Sequence, residues 1–553
     1  MARNTSTKQK RPWQDIAREA QEYRDASIAK VRPDVPPLPT VLPRNVINIP
    51  RNTLGEKEIQ ITEATPESLL SMLALGELTA TAVTTAFLRR AGLAQKLTNC
   101  VTELLPERAL ARAQYLDDYF AQHRKPLGPL HGLPISIKEH IGVEGLGLNA
   151  GYVAWWDKLA EEDAHVLQIL WRAGAVFHAR TTQPQSLMHL ETDNNLYGVT
   201  VNPYNHAVSA GGSSGGEGAL IGLRGSIRSP AANNGIYGLK PTAFRVPTDG
   251  WSSTMAGADP IVTVIGPLST SLSGITLFMK TVIDMKPWLS EPALIPLPWN
   301  SSFKISPHQP LKIGVLWHDG VVRPHPPVTR ALRSVVSRLE SIPNLTVIDW
   351  EPYLHDEAWA IISSLYFTDG GAEDASVMAA SGEPWLPLTK WIIKENPCVK
   401  KLSMQELWYW QEEREAYRKE YAKVWNDTAT CRNNETGEIE GVVDAILCPV
   451  GPGVAPLRNT ARYWGYTSQW NLLDYPAVVF PVSKVDAVVD VAEKEYSPMN
   501  DIDRDNWMLY DPKRFAGLPI SLQLVGRRFE DEKVIAVLEY IKKEIGLPFV
   551  DFP

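Results

Sequence analysis

Twice this chain runs a short apolar stretch into an amphipathic one: residues 311–316 lead into 328–339, and 520–525 into 531–545. A third unit runs in reverse, with a helical pattern at 162–174 feeding an apolar strand at 175–178. Strand and helix alternating at this spacing leave a sheet with two apolar faces to cover, so the expected architecture is an α/β sandwich with helices on both faces. Upstream, 13–30 reads as a charged helix. It is followed by a strap carrying Pro33, Pro36, Pro37, Pro39, Pro43 and Pro50, whose density forbids helix. Further helices are expected from Thr65, over 80–95 and over 106–123, and the run 133–138 reads as a strand ending at Lys138. Past residue 60 no composition break looks like a linker and no repeat recurs. The reading is an N-terminal helical and proline-rich arm, 1–58, and one large domain, 59–553.

Composition excludes several classes. With 55 Lys and Arg against 63 Asp and Glu, the net charge of −8 is thinly spread, which argues against a nucleic-acid or polybasic membrane role. No apolar run approaches the length of a membrane span, and the N-terminus has no secretory h-region. The cysteines Cys100, Cys398, Cys431 and Cys448 have no Cys-x-x-Cys spacing and are too few to staple the chain, so a reducing, cytoplasmic setting is expected. His131 and His140 flank Lys138 without metal-ligand spacing; no metal and no cofactor is expected.

The most unusual stretch is Ser209-Ala210-Gly211-Gly212-Ser213-Ser214-Gly215-Gly216-Glu217-Gly218. Glycines here let backbone amides approach a ligand closely before a helix that begins near Gly216. One reading is a flexible loop. A phosphate cradle lacks the Walker lysine and a preceding apolar strand. A serine nucleophile elbow fits Gly212 to Gly216 formally, with Ser214 at its tip. That elbow needs a strand before it, which 202–210 does not resemble, and a late histidine, whereas the last is His355. A serine hydrolase without histidine needs another base, and Lys138 is a candidate, since burial disfavours the ammonium and lowers its pKa.

Three blocks in order, Gly128-Pro129-Leu130-His131-Gly132-Leu133-Pro134-Ile135-Ser136-Ile137-Lys138-Glu139, the loop 211–218, and Gly225-Ser226-Ile227-Arg228-Ser229-Pro230 with Gly238-Leu239-Lys240-Pro241-Thr242, resemble the amidase signature family. Further stretches, among them Val201-Asn202-Pro203, Ser381-Gly382-Glu383-Pro384 and Gln523-Leu524-Val525-Gly526-Arg527-Arg528, are similar to its fungal acetamidase-type members. The resemblance covers most of the chain from Ile59. It implies a mixed central β-sheet sandwiched between α-helices, and hydrolysis of a monocarboxylic acid amide to acid and ammonia or amine. By the same resemblance Lys138 is the neutral base, Ser213 a relay held by a cis peptide, and Ser226 the nucleophile that forms the acyl-enzyme. It also gives Met188, Gly225 and Ser213 to substrate binding, places Glu191 beside Met188 in a pocket-lining segment, and implies a small-molecule amide as partner. A homodimer is left open.

One departure stands out. Between the glycine loop and Gly225 the family has a further strand and a Gly-Thr-Asp-x-Gly-Gly turn. Here Arg224 meets Gly225 at once, so roughly ten residues of the oxyanion-hole region are missing. A helix over 215–223 would carry the chain about 12 Å from Ser213, and three extended residues return at most about 11 Å. Three outcomes therefore stay open: an active amidase, a catalytically impaired protein with the same fold, and a gene model that hides the missing segment. Arg228 is expected to anchor its loop through an ion pair. Trp408, Tyr409 and Trp410 read as core or helix surface.

Overall fold

The computed structural model describes residues 11–222, 228–305, 310–433 and 436–552. Ten strands among these residues build two sheets. In chain order they are β1 (Val101–Leu104), β2 (Pro134–Lys138), β3 (Val176–Thr181), β4 (Tyr237–Lys240), β5 (Leu268–Ser269), β6 (Leu311–Val315), β7 (Leu345–Asp349), β8 (Ala445–Pro449), β9 (Ala477–Lys484) and β10 (Pro519–Val525). The larger sheet has the order β7-β6-β8-β10-β9-β4-β5, and the smaller β1-β3-β2. Both are mixed: β6 runs parallel to β7 and β8, the strands from β8 to β5 pair antiparallel, and β3 lies parallel to β2 and antiparallel to β1.

Burial on both faces explains the continuous apolar runs. Every residue of β8 and β10 is buried, as a strand covered on two sides requires. Alternate side chains serve different cores. Ala445 and Leu447 join the cluster packed by the helices Pro326–Leu339 and Asp531–Ile545, while Ile446 and Cys448 join the one packed by His355–Tyr366 and Met404–Asn426. The helix Pro326–Leu339 shows why sequence predicts its place: proline opens its first turn, and Val328, Ala331, Leu332, Val335 and Leu339 recur on one buried face. The N-terminal arm belongs to the same core, since Ile28, Val31, Val46, Ile47 and Leu54 all pack into the larger cluster.

Three expectations are corrected. The helical pattern at 162–174 forms a helix only over His165–Arg172, because the Ala164 amide donates to the Gly142 carbonyl at 2.9 Å and draws the chain before it into a loop. Its strand continues to Thr181, three residues past the expected end. The stretch 202–210 does contain a strand: Asn205–Ser209 pairs antiparallel with Val201–Asn202. Two asparagine side chains turn the ribbon, with Asn202 Oδ1 accepting from the Tyr204 amide at 2.9 Å and Asn205 Oδ1 from Ala207 at 3.0 Å. The ribbon lies outside both main sheets, so it does not supply the central strand that a nucleophile elbow needs.

Candidate active site

Lys138 ends β2, one of the smaller sheet's edge strands, and faces Thr181 of β3 in register. The glycine-rich loop arrives from the ribbon and turns into α1 (Gly215–Gly222). This turn is possible only for glycine. A Cβ on Gly212 would sit 2.2 Å from the His189 carbonyl oxygen, and one on Gly216 would sit 2.4 Å from the Thr182 amide nitrogen, both of them backbone atoms. The hydroxyl of Thr192 ties the loop's two ends together, donating to the Gly211 carbonyl at 3.0 Å and accepting from the Gly215 amide at 2.8 Å. The Gly212–Ser213 peptide is cis.

These constraints place Ser213 Oγ 2.8 Å from Lys138 Nζ. Protein surrounds the ammonium apart from the cavity it faces, and desolvation pushes the lysine down to about 7, partly offset by the negative charge of Glu217. Near neutral pH the amine is therefore free to accept the hydroxyl proton. Neither neighbouring carboxylate is paired with it. Glu139 points away and is held by the Asn149 amide at 2.6 Å, the Ala150 amide at 2.9 Å and Gln183 Nε2 at 2.7 Å. Glu217 is clamped by Ser136 Oγ at 2.5 Å and Thr181 Oγ1 at 2.7 Å; burial holds its pKa above the ordinary carboxylate value, and the two donated bonds and the charge of Lys138 offset this only in part.

The pair opens on a cavity of about 850 Å³ that runs past β2 toward β5. Apolar side chains such as Leu69, Phe87, Leu133, Leu170, Leu277 and Phe278 wall its length.

A sequence profile of the amidase family matches residues 82–535. The chain belongs to the amidase signature family. It is 39% identical to an acetamidase of Emericella nidulans over 554 residues, covering 97% of this chain and 98% of that one. An acetamidase of Aspergillus oryzae is 38% identical over 553 residues, covering 97% and 99%. Among solved structures, one described as a fatty acid amide hydrolase superimposes with a TM-score of 0.90 at 32% identity, covering 97% of this chain and 96% of that one.

Within this amidase signature chain the other expected residues separate. Ser226 and Gly225 lie outside the described residues. Met188 lines the cavity, whereas Glu191 is buried behind it, with its carboxylate 3.2 Å from the Asn459 amide. His131 Nδ1 accepts from the Leu127 amide at 3.1 Å, and His140 packs against Trp251. The expected ion pair of Arg228 is corrected: its guanidinium donates to the Thr467 carbonyl at 3.1 Å and Asn471 Oδ1 at 2.5 Å, with no carboxylate partner among the described residues. Burial pushes it down to about 10. Trp408 and Tyr409 are exposed on their helix, while Trp410 packs against the core.

Sequence reading missed Ser136, Thr181 and Thr192. Ser136 was within reach, because two residues before Lys138 on a strand is the same face. Thr192 carried no signal, since its role depends on a loop that returns from elsewhere.

Proposed function

We propose that this protein hydrolyses the amide of an apolar carboxylic acid to the acid and ammonia or amine. Ser226 Oγ attacks the carbonyl carbon while its proton passes to Ser213, whose own proton goes to Lys138. As the C–N bond breaks, the proton returns from Lys138 through Ser213 to the leaving nitrogen, which departs as ammonia or amine; water then gives up a proton along the same relay, attacks the acyl-enzyme and releases the acid, and Ser226 regains its proton. Met188, Ser213 and Gly225 position the substrate. The observation that carries this reading is the 2.8 Å contact between Ser213 and a lysine pushed down to about 7. The acetamidase relatives support amide hydrolysis, and the cavity of about 850 Å³ supports a substrate larger than acetamide, because pockets of roughly 300–1,000 Å³ take drug-sized ligands. The absence of any membrane-length apolar helix among the described residues and four free cysteines accord with work in a reducing cytoplasm.

Purified protein assayed against amides from acetamide to long-chain and arylalkyl amides should release ammonia or amine, with kcat/KM rising with apolar bulk. A fluorophosphonate should label it, and Ser226→Ala should abolish the label. No release from any amide and no labelling would sink the reading.

A second reading draws on the seam between the sheets. Among the described residues β2 has no strand on its outer side, and no strand joins it to the larger sheet. This accords with a non-catalytic protein of amidase fold, or with a longer transcript that supplies the missing segment between Arg224 and Gly225. Sequencing the transcript across that junction separates the two.

A further inference from the structure

Glu217 lies four residues beyond Ser213, in the first turn of α1. Its clamp comes from the strands that frame the lysine: Ser136 shares a face of β2 with Lys138, and Thr181 is Lys138's register partner on β3. The carboxylate is thus tied to the sheet beside the amine without forming an ion pair with it. Resting on the proposed amide hydrolysis, we propose that Glu217 is a positioning residue that sets how readily Lys138 takes the proton of Ser213, acting through its fixed charge and never touching substrate.

The arrangement answers two opposed demands. Burial alone would keep the amine neutral but make it a poor proton acceptor, whereas a direct ion pair would hold it permanently as ammonium. A carboxylate fixed at a distance by two hydroxyl donors stabilises the charged lysine enough to keep it basic. Two donated bonds favour the ionised carboxylate and leave it less free to swing onto the amine.

Other titratable groups nearby do not take this role. His140, next in chain to Glu139, is held neutral by burial and by Lys138 itself. His178 on β3 is pushed down to about 4, and the Cys100 thiol, whose titration feels Glu217, is pushed up to about 12. The cations on the cavity wall have their own partners: Arg228 as above, Lys240 with Asp474, Lys158 with Ser252 and Arg90 with Thr62. Asp259, the cavity's other carboxylate, is exposed.

The test reads lysine basicity directly, with or without turnover. Full-length protein is acetylated with trace acetic anhydride across pH 5–11, and the Lys138 peptide is quantified by mass spectrometry. The wild-type midpoint is expected near 7. Glu217→Gln, which loses the charge and keeps one acceptor oxygen while the other hydroxyl must turn to accept from the new amide, should lower it by about one unit, and the acid limb of any amide kcat/KM profile should move to lower pH by the same amount. A Glu217→Gln midpoint equal to wild type would overturn the proposal. If Glu217→Gln fails to fold, the double variant Ser136→Ala/Thr181→Val serves instead. Without the two donors that favour its ionised form and hold it in place, the carboxyl no longer presents a fixed charge and the midpoint should shift, whereas a midpoint equal to wild type would overturn the proposal. A wild-type midpoint near 10 strikes the neutral-base mechanism alone, because the effect of Glu217 is still read as a difference between proteins.

Discussion

Lys138 couples the chemistry of the site to the stability of the chain. Its amine titrates near 7 in the fold against an ordinary value of 10.5, so between those values the unfolded state binds more protons. Unfolding free energy should therefore rise with pH across that window, by at most about 1.4 kcal/mol per unit from this group. Lys138→Met, similar in length and uncharged, should lack this slope, abolish acylation, and leave the melting temperature at pH 7 unchanged or higher. Urea unfolding of both proteins at pH 7, 8 and 9 checks it. Equal slopes would mean that the lysine is charged in the fold and acts as no base.

The loop and helix that carry Ser213 invite tests in which local propensity and packing disagree. Alanine exceeds glycine in helix propensity by about 1 kcal/mol, so by that measure Gly216→Ala in α1 should stabilise. The Thr182 amide nitrogen 2.4 Å from the new Cβ predicts the reverse, a lower melting temperature with loss of activity. Thr192→Val removes both bonds across the loop and should cost about 1–3 kcal/mol, with kcat falling more than KM changes, while Thr192→Ser restores both. A thermal melt beside steady-state kinetics measures these effects. Such contacts also mark where sequence reading stops. The helices Pro106–His123 and Asp531–Ile545 match their expected ranges residue for residue, because proline placement and apolar periodicity are local. The approach of Lys138 to Ser213 was legible only through family resemblance. Thr192 and Thr181 escaped because their partners come from other parts of the chain. The ribbon Asn205–Ser209 was missed although Asn202 and Asn205 signalled its turn, since its short polar strands lack an apolar run.

Across the whole molecule, buried titratable groups pull stability in opposite directions with pH. His178, His325 and His355 are pushed down to about 4 and His189 to about 3, so their contribution, present above their ordinary value, is lost as pH falls toward 4. Glu191 is pushed up to about 7, and Asp193, Asp319 and Asp374 to about 6; theirs is present at low pH and lost as pH rises toward 7. The two sets offset each other, so these groups together should leave stability nearly flat between pH 4.5 and 6.5. His355→Asn should make stability fall as pH rises across that range, and Glu191→Gln should make it rise; denaturant titrations at several pH values read both slopes. The ribbon that leads to Ser213 has a consequence in time. Its Val208 bridges Leu457, and the Ser209 amide donates to the Pro456 carbonyl at 2.8 Å, so it leans on chain made about 250 residues later, roughly 12–50 s of synthesis. The strands β1, β2 and β3 that seat Lys138 need no such wait. On the ribosome the base is in place early, while the ribbon behind its hydroxyl partner gains its last support late. Nascent chains stalled near residue 300 should protect β2 and β3 from protease while remaining cleavable near Ser209, and uniform cleavage of both would show that the two halves of the site form together.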